Sequence, residues 1–131
     1  MSATPSGPPL DTVADIEAVY EEMLGFVPPK VRARLRASHA IDPETQRIVE
    51  RWRLNALTPA ALDQKTVQLM AFAILLVQDS AAAKNHARAA VKAGASKEEL
   101  HAAAAIANLF RGIAAFNHAG EVLAELYPDG A

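Results

Sequence analysis

From Asp63 to Ala93 the chain holds neither proline nor glycine: "DQKTVQLMAFAILLVQDSAAAKNHARAAVKA". Nothing in that stretch forbids helix, and no part of it alternates apolar and polar residues with the period of two that a half-buried strand needs. The rest of the chain lacks that alternation too, and its breaks fall at helix punctuation. The fold class is therefore all-α, a compact bundle of about six to seven helices. One unbroken helix over 63–93 is long for a small domain. A break is expected at "QDS", 78–80, where Asp79 or Ser80 caps a new helix. The reading is helix 63–77, a bend, and helix 80–93 closed by Gly94.

The flanking segments follow the same logic. Asp11 caps a helix over about 12–24 with Val13, Ile16, Tyr20, Met23 and Leu24 inward, and Gly25 ends it. Pro29 suits the first turn of the next helix, 29–38, which buries Val31 and Leu35 and carries His39 on the same stripe. "DP" at 42–43 opens a third helix to about 56, whose apolar stripe is Thr45, Ile48, Val49, Trp52 and Ala56. "SKEE" at 96–99 reads as a capping box, Ser96 with Glu99, starting a helix to about 110. Gly112 marks a bend before a last helix, 113–127, with Ile113, Phe116, Gly120, Leu123 and Leu126 or Tyr127 inward.

Residues 1–10, "MSATPSGPPL", read as a disordered Pro/Ser tail, and 11–128 as a single domain. The tail has neither the basic start nor the apolar run of a signal peptide. "LMAFAILLV" at 69–77 falls well short of the roughly 18 apolar residues of a membrane span. A soluble, cytoplasmic protein is expected. The net charge of −2 offers no field for nucleic acid or acidic lipid. The local basic run "KVRARLR" at 30–36 scatters around its helix and reads as a solvated face.

The sequence contains no cysteine, which excludes disulfides, thiolate metal sites and thiol redox chemistry. No phosphate-binding Gly-rich loop, G-x-S-x-G or H-E-x-x-H appears. What carries chemistry is His86, alone in an alanine-rich helix, with Asp79 upstream on the same face. An imidazole there is a packed spectator, a proton carrier, or the remnant of a site whose other members are gone.

The order of signals resembles the carboxymuconolactone decarboxylase and AhpD-like superfamily over about residues 20–126. "LGFVPP" at 24–29, "LDQKTVQLMAFA" at 62–73, "HARAAVKAGASKEEL" at 86–100 and "GIAAFNHAGEVLAEL" at 112–126 carry the likeness. AhpD-like peroxidases hold a Cys-x-x-Cys just before the histidine and a glutamate about one helix upstream. Here those cysteine positions fall on Asp79 and Ala82, and the glutamate position falls near Gln68. A disulfide-based peroxidase needs an attacking and a resolving thiol, so that activity is ruled out. The Cys-less decarboxylase branch is the better likeness. It implies a cofactor-free lyase or related proton-transfer enzyme acting on a small cyclic acid or lactone, as in the catabolism of aromatic compounds. It also implies a homo-oligomer, a trimer or hexamer, with pockets near subunit contacts.

On that resemblance the catalytic candidates are His86 as general acid/base, Asp79 as the carboxylate that orients it, and Gln68 as a hydrogen-bonding group. Asp79 is more simply a plain helix N-cap, and Gln68 equally a solvent-facing boundary residue. Arg111, beside Gly112, is a substrate-carboxylate anchor or one half of an inter-subunit ion pair. No cofactor and no metal ligand is assigned. Two rival functions stand beside the lyase: a non-catalytic small-molecule binder on the same scaffold, and a metal enzyme using His86 with His101 or His118.

Overall fold

The computed structural model describes residues 7–129, and they form six α-helices with no strand among them. These are α1 Val13–Leu24, α2 Pro29–Ile41, α3 Pro43–Leu57, α4 Gln64–Val77, α5 Ala83–Lys92 and α6 Lys97–Leu126. None is long and apolar enough to cross a membrane.

Short polar side chains start most of these helices. Thr12 and Asp15 form a reciprocal box on α1, so Thr12 is the cap rather than Asp11. Asp42 accepts from the Thr45 amide at 3.1 Å, and Asp63 from the Thr66 amide at 2.8 Å. Gly25 ends α1 at φ 85°, in the left-handed region that an L side chain adopts only with strain. Ser96 caps α6 by accepting from the Glu99 amide, but Glu99 does not reciprocate. Its carboxylate reaches Lys65 instead, at 3.3 Å.

The core lies between α1, α2 and α5: Ile16, Tyr20, Leu24, Val27 and Leu35 pack with Ala89. Leu10, at the end of the expected tail, belongs to this cluster at 3% exposure, while residues 1–6 of that tail lie outside the described residues. α4 bridges the two halves by packing on both α5 and α6. Buried alanines at 83, 89, 90 and 107 let the helix backbones approach closely.

Four local expectations are corrected. α5 starts at Ala83 rather than residue 80, because Asp79 sits at φ 53° and turns the chain there. The first turn belongs to Ser80, whose carbonyl takes the Ala83 amide and whose hydroxyl takes that of Ala82, so Asp79 caps nothing. α6 runs straight through Gly112, since one helical glycine costs only about 1 kcal/mol against alanine and its flanks are strong helix formers. Third, α3 is turned the other way. Gln46, Glu50 and Leu54 are buried, while Ile48, Val49 and Trp52 face outward, Trp52 at 74% exposure. On that polar face Arg34 and Tyr20 hold Glu50, while the buried Gln46 amide makes no hydrogen bond. The expected inward stripe of the last helix is likewise exposed, Phe116 at 81%.

Candidate active site

His86 lies in the first turn of α5, half-buried against α4. Its Nδ1 is 2.7 Å from Oε1 of Gln68, a residue only 1% exposed on α4. Gln68 Nε2 donates to Oε1 of Gln64, one turn earlier, at 3.3 Å. Gln64 Nε2 in turn donates to the backbone carbonyl of Leu57 at 2.6 Å.

This chain of amides fixes the proton on the imidazole. A backbone carbonyl only accepts, so Gln64 must present its NH₂ to Leu57 and its oxygen to Gln68. Gln68 must then present its NH₂ to Gln64 and its oxygen to His86. An oxygen only accepts, so Nδ1 of His86 carries the hydrogen and Nε2 keeps a free lone pair. Burial pushes the His86 pKa below its ordinary value, and the positive charge of Arg53 pushes it the same way. The site therefore holds a neutral, oriented imidazole with an open nitrogen. Such a group takes up a proton at Nε2 and releases it readily.

Beside it sits a polar cluster that the sequence reading missed. The Tyr20 hydroxyl donates to Glu50 Oε1 at 3.2 Å, and Arg34 Nη2 donates to both that oxygen (2.7 Å) and the Tyr20 oxygen (2.9 Å). Burial is the main cause that raises the Tyr20 pKa, so the phenol keeps its proton. The Arg53 guanidinium lies over the Tyr20 ring, 4.1 Å from its centroid. The signal that marks this cluster is a second stripe on α3, Gln46, Glu50 and Arg53 at helical spacing, which the more conspicuous Ile48–Trp52 stripe obscures. Gln64, four residues before Gln68 on the same helix face, was legible by the same spacing.

A cavity of about 490 Å³ opens one turn away from His86. Val19 and Met23 of α1, Leu54 of α3, Gln64 of α4, and Ala89 and Lys92 of α5 contribute to its walls. Gln64 joins the cavity to the amide chain. The Gln64 and Thr58 donors are turned back onto carbonyls at the end of α3, which leaves the inner wall largely apolar.

The other expected site residues lie elsewhere. Asp79 and Arg111 form an exposed ion pair with each other, and Arg111 also reaches the Leu76 carbonyl at 3.4 Å. Arg111, by hydrogen bond and charge, lowers the Asp79 pKa. The group that orients His86 is thus Gln68, and the Asp79 carboxylate is engaged by the guanidinium of Arg111. His101 and His118 are exposed on α6, His118 lying 3.7 Å from Glu121. Among the described residues no three histidines or carboxylates come together as a metal-binding group.

A model of the carboxymuconolactone decarboxylase family matches residues 43–125. The chain belongs to that family. No match is found among curated proteins or among solved structures. The family stretch begins where α3 begins and ends in the last turn of α6. It therefore includes Arg53, Gln64, Gln68 and His86. Tyr20 and Arg34, which flank the decarboxylase-family core, come from α1 and α2 outside the match.

Proposed function

We propose that the protein is a cofactor-free, lyase-like proton-transfer enzyme for a small cyclic acid or lactone, with His86 as the acid/base. The observation that carries this reading is the amide chain from Leu57 to His86, which leaves Nε2 as the reactive nitrogen. In a decarboxylation the C–C pair stays on the ring as a dienolate when CO₂ departs. A proton carried from solvent on Nε2 then completes that carbon. An imidazolium in a site that disfavours its charge is a stronger acid than usual, which suits this delivery.

The test is His86→Gln, assayed with a panel of lactone acids and ring acids. Turnover should fall by about 10²–10⁴-fold, the usual contribution of a general acid or base, with the far-UV spectrum unchanged. Full activity of the variant overturns the assignment. A second reading, a non-catalytic binder, draws support from the cavity, whose walls do not include His86. It predicts saturable binding of panel members with no conversion over hours.

We also propose a homo-oligomer, a trimer or hexamer, because α3 and α6 leave large apolar side chains uncovered. Trp52, the sole tryptophan, is a built-in probe. Its emission should be blue-shifted in the assembly and move to the red on dilution, while Trp52→Glu should shift sedimentation toward a single copy. A sedimenting single copy at all concentrations overturns this.

A further inference from the structure

Arg53 holds a charge that the proton-transfer reading leaves unused. Arg34 is matched by Glu50, Arg32 by Glu17 and Arg111 by Asp79, whereas Arg53 has no carboxylate partner among the described residues. It is part-buried, with one face on the Tyr20 ring. That ring packs in the same cluster as Ala89, which lies one turn past His86 on α5. The guanidinium is close enough that its charge acts on the imidazole. The remaining groups around it do not neutralise it. Glu50 is taken by Arg34, Tyr20 is a protonated phenol, and Arg88 of α5 lies over the Phe26 ring. The region thus carries surplus positive charge, from Arg53 on Tyr20 and from the equally unmatched Arg88 on Phe26, beside a neutral imidazole.

A guanidinium stacked on an aromatic face keeps its N–H edge free for a planar oxyanion, and a carboxylate matches that fork. We propose that Arg53 binds the carboxylate of a small ring acid beside His86, so that the site selects the anion over its neutral amide. The catalytic meaning of this anchor rests on the reading of His86 as the proton-transfer group, but the binding itself does not.

Calorimetric titration of the full chain with benzoate and with benzamide tests it. Benzoate should bind at least about tenfold more tightly, the scale of a charged hydrogen-bonded pair. Arg53→Gln should reduce benzoate to the benzamide level, Arg53→Lys should recover part of the difference, and Arg111→Gln should change nothing. Equal affinity for the two probes, no benzoate binding, or normal benzoate binding by Arg53→Gln overturns the proposal. So does loss of binding in Arg111→Gln. Because removing Arg53 also removes its stack on Tyr20, the unmutated protein supplies a second readout. Saturating benzoate should raise the NMR titration midpoint of His86, and an unmoved midpoint overturns the placement. His86→Gln separates the two readings: it should be inactive yet bind benzoate normally. If it turns over substrate while the Arg53 results hold, the proton-transfer reading falls and the anion site stands.

Discussion

Two polar pairs flank the α4–α5 turn, and they differ in almost every respect. Gln68 and His86 are eighteen residues apart, uncharged, and joined inside the protein. Asp79 and Arg111 carry full opposite charges and meet on the surface, half-exposed or more. In sequence, Asp79 is the more conspicuous partner for His86, being close by and ionic. In space the imidazole goes to the amide. A buried donor without an acceptor costs the full loss of its hydration, whereas an exposed ion pair exchanges one well-solvated arrangement for another. The fold therefore depends on the neutral pair more than on the charged one.

Substitutions can break or sharpen that contrast. The largest effect belongs to function: His86→Gln should lower turnover by about 10²–10⁴-fold, while neither Asp79→Asn nor Arg111→Gln should approach that loss in the same assay. Next comes stability. Gln68→Leu strands the Nδ1 hydrogen of a half-buried imidazole and should cost about 1–3 kcal/mol in denaturant titrations. A loss no larger than that of a surface variant would show that the amide chain is ornamental. The pH dependence follows with its sign fixed by the lowered His86 pKa. Folding favours the neutral ring, so this contribution is intact above the ordinary value of 6.5 and is lost as pH falls through it toward the depressed folded value. Thermal melts between pH 7 and pH 5 should decline, and Gln68→Glu, which sets a carboxylate against Nδ1–H, should reverse that trend. Smallest is the surface pair. Asp79→Asn should leave Tm unchanged within error at physiological salt, where exposed pairs are screened.

Much of the fold was legible. The all-α class, the starts of α2, α3 and α6 and the ends of α1 and α4 followed from periodicity and punctuation, because Asp42, Gly25, Pro29 and Ser96 act locally, whereas α2 runs past the expected residue 38 to Ile41. The orientation of α3 was not. Periodicity identifies an apolar stripe such as Ile48, Val49 and Trp52 but not the surface that covers it, and here the polar stripe won the interior. Gln68 was legible as an anomaly, a polar residue on an apolar helix, yet its role depended on a partner from another helix. Spacing along one chain does not encode that. Asp79 misled for a related reason: its residue type fits an N-cap, but its backbone turns left-handed before the helix begins.

α6 has two unlike halves. Through Ala107 it leans on α4, and beyond that point every described side chain is exposed. At about 1.5 Å per residue the whole rod is roughly 45 Å long, so its free part spans several turns. An isolated helix of that size is marginal in water. One continuous ladder of hydrogen bonds thus holds two local stabilities, and amide exchange along it should grade from slow near Ala103 to fast near Leu123. Where that gradient vanishes, something other than this single copy is holding the far end.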